Sequence, residues 1–139
     1  MTSHDLDCLA IAGEIAKHSD YTPHHVGCVI TYKHKIIATG YNSEKTHPLQ
    51  TEYNRFRNAF KGKRDLLPKI HAEIKAISRL RNFDLDMRKV QLYVCRLSAS
   101  KGYALARPCP SCLQAIKDAG IRHIFYTTDA GYAEEHLNA

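Results

Sequence analysis

The order of apolar patterns along the chain predicts a layered α/β domain. Segments with apolar residues at helical spacing alternate with short β-rich runs, as expected when helices cover the faces of a sheet. Hydrophobic residues make up 44% of the 139 residues, which is enough for one core. No apolar run approaches the ~18 residues that a membrane-spanning helix needs. We therefore expect one domain over residues 1–139, with no membrane partner.

The first half of the chain predicts a helix followed by a hairpin. Leu6, Leu9, Gly13 and Ala16 recur at helical spacing, which predicts a helix over residues 6–17. Two β-rich runs follow, HHVGCVITYK (24–33) and KIIATGYN (35–42), and they meet at a tight polar turn near His34. Such a pair of runs is typical of an antiparallel hairpin.

The connection over residues 43–68 has little regular pattern. Only EYNRFRNAF places aromatic residues at helical spacing, with Tyr53, Phe56 and Phe60 at i, i+3 and i+7. We expect a short helix there. A connection this long is usually functional or carries structure of its own.

The second half predicts strands separated by helices. We expect a helix over 70–82, a strand over 89–95 and a loop over 98–107. A third helix is expected to begin at Pro108 or Pro110 and to end at Gly120, because proline opens helices and glycine follows their ends. A strand over 121–128 comes next. The tail, GYAEEHLNA, fits either a short helix or a further strand.

Two polar residues stand at the start of the helix over 70–82 without a packing role. In KIHAEIKAI, the residues Ile70, Ile74 and Ile77 form the apolar stripe of a packed helix. That stripe needs neither His71 nor Glu73. A lone His-x-Glu is a weak signal, because a helix start favours an acidic residue anyway.

A Cys-x-x-Cys motif at the start of the third helix supplies further metal-binding residues that can act together with His71. In PCPSC, a helix start can aim the sulfurs of Cys109 and Cys112 at one point and favours their thiolates. With His71 they form a Cys₂His set that suits zinc and leaves a fourth position open, as in catalytic zinc sites. Glu73 is then placed to move protons during hydrolysis. The order H-x-E…P-C-x-x-C is the signature of zinc deaminases.

With these residues the sequence resembles the cytidine/deoxycytidylate deaminase superfamily. That superfamily includes deoxycytidylate deaminases, TadA tRNA adenosine deaminases and APOBEC/AID polynucleotide deaminases. The resemblance extends over about residues 26–126 and includes VGCVI, GYNS, HAE and PCPSC. It implies a three-layer cytidine deaminase-like fold, with a mixed central sheet of about five strands flanked by helices. It also implies one Zn²⁺ per chain.

The resemblance implies roles for particular residues. His71, Cys109 and Cys112 match the zinc ligands, and Glu73 matches the proton shuttle. Asn42, in GYNS, matches a contact to the sugar of the nucleotide. The backbone N–H of Ala72 is expected to face the pyrimidine carbonyl.

Three further residues are expected near the substrate. Arg107 stands where many relatives have Glu or Ser before Pro-Cys, and it is either a phosphate contact or a surface charge. His47 is expected at the mouth of the pocket, next to a base or phosphate. Tyr126, at the end of the last clear strand, is expected either to line the pocket or to pack in the core.

Charge bears on the substrate. The formal net charge is +6 and the sequence pI is near 9.1, which favours phosphate-bearing substrates or polyanions. Basic residues also alternate with aromatic ones in the 52–64 region, a composition that suits single-stranded nucleic acid. The alternative is an amphipathic helix with its aromatics packed on the core. The predicted nucleic-acid contacts are Tyr53, Arg55, Arg57 and Lys61.

These observations favour a zinc-dependent hydrolytic cytosine deaminase that acts on cytosine in single-stranded DNA. Free deoxycytidine monophosphate (dCMP) is the second substrate, because GYNS resembles enzymes that use it. Adenosine in RNA is the third. The alternative outside enzymes is a non-catalytic, zinc-stabilised nucleic-acid-binding module, which would have no need of Glu73.

The cysteines and the N-terminus predict a cytoplasmic protein. Five cysteines is an odd count, which favours thiols and metal ligands over a disulfide framework. Three of them, Cys8, Cys28 and Cys95, lie among apolar residues and are expected in the core. The N-terminus lacks the layout of a signal peptide. The sequence leaves the choice between monomer and homo-oligomer open.

Overall fold

The computed structural model describes residues 1–21, 23–61, 69–80, 84–100 and 102–138, and the side chains of residues 56–61 lie outside that description. The helices are α1 (Ser3–Ala16), α2 (Pro48–Lys61), α3 (Ala72–Ser78) and α4 (Pro110–Asp118), with a 3₁₀ turn at Met87–Lys89. The strands are β1 (His25–Tyr32), β2 (Lys35–Tyr41), β3 (Val90–Leu97), β4 (Tyr103–Ala104), β5 (His123–Thr128) and β6 (Gly131–His136).

The strands form one mixed sheet in the order β2-β1-β3-β5-β6, with the short β4 paired to β3. Strands β3 and β5 are parallel, and the other pairs are antiparallel. The predicted mixed sheet of about five strands is therefore confirmed. The tail, which the sequence left undecided, is the edge strand β6.

The β1–β2 hairpin turns at two residues. Lys33 and His34 have φ of 50° and 66°, the left-handed values that a two-residue type I′ turn requires at both positions. The pairing continues from Tyr32 opposite Lys35 to Gly27 opposite Tyr41. The expected turn near His34 is confirmed.

Helices cover both faces of the sheet. Helix α1 packs on the face formed by Val29, Tyr93 and Phe125. On the other face, the residues of α3 and α4 pack over Cys28, Leu92 and neighbouring apolar residues. Two glycines allow the helix backbones to come close. A Cβ at Gly27 would lie 2.0 Å from the carbonyl oxygen of Ala12, and one at Gly40 would lie 2.6 Å from that of Ala72.

Several expected boundaries differ from those in the structure. Helix α3 was expected over 70–82 but spans Ala72–Ser78, because the N–H groups of Arg79 and Leu80 bond three residues back and close its last turn. The predicted start was too early because Ile70, which fits the apolar stripe of the helix, is buried (3% exposed) in the segment before the helix begins. Residues 81–83 lie outside the described residues. The expected loop over 98–107 contains β4.

Other boundaries agree closely with expectation. Helix α2 covers the predicted short helix and begins earlier, at Pro48. Helix α4 begins at Pro110, and Gly120 follows its end with φ of +91°. Cys8, Cys28 and Cys95 are at most 2% exposed, which confirms them as core residues. In the described part of the chain, no helix is long and apolar enough to cross a membrane.

Candidate active site

The starts of α3 and α4 lie side by side, and they bring together the two motifs found in the sequence. His71 is the N-cap residue of α3, and Cys109 is the N-cap residue of α4. Both have extended backbones, and neither side chain caps its own helix. Pro110 fixes the first turn of α4 and so sets the direction of Cys112.

Three candidate ligand atoms, on His71, Cys109 and Cys112, lie within 4.8 Å of one another. Nδ1 of His71 lies 3.3 Å from Sγ of Cys112 and 3.6 Å from Sγ of Cys109. Zinc bonds of about 2.3 Å to sulfur and about 2.0 Å to nitrogen, at a tetrahedral angle, require a nitrogen–sulfur separation of about 3.5 Å. Two thiols and an imidazole are also the donors that zinc prefers. The residues therefore fit a zinc ion with one position open.

The two thiols differ in their surroundings. A hydrogen bond from Cys112 lowers the pKa of Cys109, and a hydrogen bond and the charge of His71 lower it further, to about 3. Burial raises the pKa of Cys112, whose side chain is fully enclosed. Cys109 is thus a thiolate at neutral pH, and it gives the site the negative charge that attracts a dication.

Glu73 is buried beside these residues. It lies in the first turn of α3, and 6% of it is exposed. Burial raises the pKa of its carboxyl, and the positive charge available on His71 opposes that rise. Ionised carboxylates are almost never buried to this extent without a partner or a function.

A buried amide network that the sequence did not reveal holds the start of α3. Oε1 of Gln50 accepts a hydrogen bond from the backbone N–H of His71, at 2.9 Å. Nε2 of Gln50 donates to Oδ1 of Asn54, at 2.6 Å. Gln50 is 0% exposed and Asn54 is 2% exposed. Their position one helical turn apart in α2 was the only available signal.

Asn42 joins the loop after β2 to the start of β1. Its side chain accepts from the N–H of Val26 at 2.9 Å and donates to the carbonyl of His24 at 3.0 Å. It is 5% exposed. Ala72, the first residue of α3, is fully buried. The predicted substrate contacts of Asn42 and Ala72 stay predictions.

His47 lies at a basic cavity. Its Nδ1 accepts from the N–H of Leu49 at 3.0 Å, which fixes the ring. The cavity has a volume of about 220 Å³ and opens between the edge strand β2, α3 and the loop after Asn42. Its lining consists mainly of cationic, imidazole and hydroxyl side chains: His18, Asp20, Tyr41, Ser43, Lys45, Thr46, His47, Ile70, Lys75 and Arg79.

Arg107 and Tyr126 meet at a carboxylate of β6. The guanidinium of Arg107 donates to both carboxylate oxygens of Glu135, at 2.8 and 3.1 Å. The hydroxyl of Tyr126 donates to the same carboxylate at 2.7 Å. These three side chains tie β6 to the segment just before Cys109. Glu135 was not singled out in the sequence.

The predicted nucleic-acid contacts lie on α2. Tyr53 packs against the apolar cluster that contains Ile70 and Cys112, and its hydroxyl donates to Asp118 of α4 at 2.7 Å. Arg55 forms an exposed ion pair with Glu52 at 3.3 Å. The side chains of Arg57 and Lys61 lie outside the described residues. Contacts of these four residues with nucleic acid stay predictions.

Comparison with known proteins identifies the family of this fold and site. A search of curated proteins found no match. Among solved structures, the apo dCMP deaminase of cyanophage S-TIM5 aligns with a TM-score of 0.62 and 18% identity, over 92% of this chain and 86% of that one. The same enzyme in complex with dCMP and dUMP gives 0.58 and 18%, over 92% and 84%. The cytidine deaminase of Burkholderia pseudomallei gives 0.61 and 16%, over 98% and 93%.

Fold and site together define a zinc-binding α/β deaminase. The family model "Cytidine and deoxycytidylate deaminase zinc-binding region" matches residues 2–128. The chain belongs to this cytidine and deoxycytidylate deaminase family, and the expected superfamily and fold are confirmed.

Proposed function

We propose that this protein deaminates cytosine by hydrolysis in a free pyrimidine nucleotide, with dCMP as the test substrate. The observation that carries the proposal is the buried Glu73 next to the mutually facing His71, Cys109 and Cys112. His71, Cys109 and Cys112 would hold one zinc ion, which would supply Lewis-acid activation of the attacking water.

The residues of the chain divide the remaining work. Glu73 takes a proton from the attacking water and passes it to the ring nitrogen. It then takes the proton of the hydroxyl formed at C4 and gives it to the amino group, which leaves as ammonia while the C4 carbonyl forms. The reaction consumes cytosine and water and yields uracil and ammonia. Burial of Glu73 keeps its carboxyl away from bulk water. Gln50 and Asn54 hold the backbone at His71 and so set the direction of the imidazole.

The basic cavity supports a substrate with a free phosphate. Ser43, which follows Asn42, and Ile70, which precedes His71, both contribute to its lining. Asp20 also lines the cavity, where its Oδ1 accepts from the N–H of Glu44 at 2.9 Å. Among the described residues, no carboxylate forms an ion pair with Lys45, Lys75 or Arg79. Clustered cations of this kind favour a dianionic phosphate. We propose that the phosphate of the nucleotide binds here.

Single-stranded DNA is the second candidate substrate. The net charge of +6 favours it. The contacts made by Tyr53 and Arg55 favour the free nucleotide instead, because both side chains already bind within the protein. The two substrates differ in the salt dependence they predict, since DNA binding weakens steeply with salt.

The chemistry is tested by Glu73→Gln. We expect turnover to fall by at least about 10²-fold, because proton transfer is lost, while zinc content stays equal to that of the parent protein. The measurement is ammonia release together with zinc by mass spectrometry. Full activity of the variant, or loss of its zinc, would contradict the role of Glu73.

The substrate is tested with dCMP, deoxycytidine and a mixed-sequence single-stranded oligonucleotide. We expect the order dCMP, then deoxycytidine, with the oligonucleotide slowest. Lys45→Gln and Lys75→Gln should each lower kcat/KM for dCMP about tenfold, because each removes a charge-assisted contact to phosphate. Their effect on deoxycytidine should be small. Lys35→Gln, on an exposed residue at the opposite end of β2, is the matched control.

Two outcomes would reject the free nucleotide as substrate. Uracil that forms only in the oligonucleotide, at a rate that falls steeply with salt, would identify single-stranded DNA instead. If the lysine variants lose activity equally on dCMP and on deoxycytidine, the cavity does not bind the phosphate of the nucleotide.

A further inference from the structure

A second group of metal-type ligands lies on the β5–β6 hairpin. The antiparallel pairing sets His123 directly opposite His136. Glu134 precedes His136 by two residues, so both project from the same face of β6. The ligand atoms of His123, Glu134 and His136 all lie within 4.8 Å of one another.

This group is separate from the candidate zinc site at α3 and α4. The ring of His123 contacts Phe125, which packs with α1 on the opposite face of the sheet. Glu134 and His136 are exposed, and the N-terminal ammonium of Met1 lies 3.9 Å from Oε1 of Glu134. A metal ion from solution therefore reaches the group directly.

The donors define the class of ion. Two imidazoles and one carboxylate suit Zn²⁺ and similar divalent transition metals, which accept nitrogen and oxygen together. Ca²⁺ and Mg²⁺ prefer sites made only of oxygen. Three protein ligands leave at least one position for water.

The side chains are already close to a ligating arrangement. The rings of His123 and His136 stack with centroids 4.0 Å apart and planes 22° apart. Nε2 of His123 lies 2.7 Å from Oε2 of Glu134. A shared zinc ion would require donor separations of about 3.4 Å. Small rotations of the exposed Glu134 and His136 provide that change, since neither is enclosed by packing.

We propose that His123, Glu134 and His136 form a second zinc-class metal site, which fastens the edge strand β6 to β5. Strand β6 is at the edge of the described sheet, where one row of its backbone groups has no partner strand. The neighbouring residue Glu135 projects from the other face of β6 and holds Arg107 and Tyr126. The bound ion would therefore also steady the strand that carries this carboxylate. The proposal does not rest on the proposed function.

The test is the zinc stoichiometry of the full chain. Protein is stripped with a chelator, reloaded with Zn²⁺, freed of excess metal and assayed for zinc per chain. We expect two equivalents for the parent protein and one for the double variant His123→Gln/His136→Gln. His18→Gln, an exposed histidine at the other edge of the sheet, should keep two. A double variant that binds as many equivalents of zinc as the parent protein would overturn the proposal.

A second measurement keeps the test valid if the double variant folds poorly. In the Cys109→Ser/Cys112→Ser background, Zn²⁺ should still raise the Tm, because only the hairpin site remains to bind it. Adding Glu134→Gln, an exposed and conservative change, should remove that rise. A Tm that does not respond to Zn²⁺ in the background variant, or responds equally after Glu134→Gln, would overturn the proposal. Neither readout uses enzyme activity, so a failure here is distinct from a failure of the deaminase proposal.

Discussion

A buried amide in α2 controls the backbone at one side of the candidate zinc site. The N–H of His71 belongs to the orphan donors at a helix start, and it is satisfied by the side chain of Gln50 rather than by a cap of its own. The imidazole of His71 then keeps one orientation toward the two sulfurs. Gln50 is a positioning residue, because its side chain binds the backbone of His71 and the side chain of Asn54.

Replacing this amide should weaken metal binding without changing a ligand. In Gln50→Leu, the buried N–H of His71 loses its acceptor, which should cost about 1–3 kcal/mol in the free energy of unfolding. Zinc affinity should fall about 10- to 100-fold, as for other residues that orient a metal ligand. Competition with a chromophoric chelator measures the affinity, and urea unfolding measures the stability.

The control for this variant is Gln114→Leu on α4. Gln114 binds only the exposed Asp118 among the described residues, and its loss should leave zinc affinity unchanged. Equal affinities for the parent protein and Gln50→Leu would show that His71 is oriented by other contacts.

The parts of the candidate site that could be predicted are those marked by short sequence motifs. His71, Glu73, Cys109 and Cys112 follow a fixed spacing at helix starts, and the turn at Lys33 and His34 joins two clear β runs. Gln50 was invisible because its role depends on a contact between separate helices. The pairing of Arg107 with Glu135 joins residues distant in sequence for the same reason.

The strand nature of the tail was hidden by one residue. Residues 131–137 alternate in exposure as a strand should, with Ala133 and Leu137 packed against the core. Glu135 occupies an inward position between them, so the apolar alternation is broken in the sequence. Arg107 and Tyr126 satisfy its carboxylate, which makes the charge tolerable there.

Close approach of helix to strand is what fixes α1 and α3 on the sheet. Both contacts depend on a glycine in the facing strand, Gly27 for α1 and Gly40 for α3. Only the contact at Gly40 bears on the candidate active site, because α3 carries Glu73 and has His71 as its N-cap residue. The two glycines therefore form a matched pair for experiment.

We expect Gly40→Ala to damage both stability and zinc binding. The added methyl would lie 2.6 Å from the backbone of Ala72 and of Ala76, so α3 must shift. Such overpacking costs about 1–3 kcal/mol. Gly27→Ala should cost stability similarly while leaving zinc affinity closer to that of the parent protein, because α1 lies on the other face.

Gly102→Ala is the neutral control, because nothing lies within 4 Å of its added methyl. Urea unfolding and zinc competition on the three variants give the comparison. If Gly27→Ala weakens zinc binding as much as Gly40→Ala does, the effect comes from a general loss of stability rather than from the position of α3.

A buried carboxylate, that of Asp5, helps to hold helix α1 on its face of the sheet. On the α1 face, the hydroxyl of Tyr93 donates to Oδ1 of Asp5 at 2.6 Å, and Asp5 also accepts from the N–H of Thr2. Burial would raise the pKa of Asp5, but these hydrogen bonds outweigh it and hold the pKa below its ordinary value. A carboxylate in the helix start thus joins α1 to the centre of the sheet.

Stability should therefore fall in acid through Asp5. A depressed pKa in the folded state stabilises the protein above the unfolded-state pKa, near 4, and that stabilisation is lost as the pH falls through the folded value. Asp5→Asn should cost about 1 kcal/mol at pH 7 and close to nothing at about pH 2.

The measurement is urea unfolding of both proteins at the two pH values, in the presence of a chelator so that loss of zinc does not contribute. Asp7→Asn is the control, since Asp7 is an exposed residue on the same helix. A difference between Asp5→Asn and the parent protein that persists unchanged in acid would contradict the assignment.

The central position of β1 in the sheet affects how the chain folds during its synthesis. Strand β1 pairs with β2 on one side and with β3 on the other, and β3 lies far downstream, after α2 and α3. During synthesis on the ribosome, the apolar edge of β1 at Val26–Ile30 therefore stays unpaired until β3 has been made. Unpaired edges of this kind seed association between nascent chains. Chaperone demand in the cell should accordingly be greatest before residue 97 has left the ribosomal tunnel.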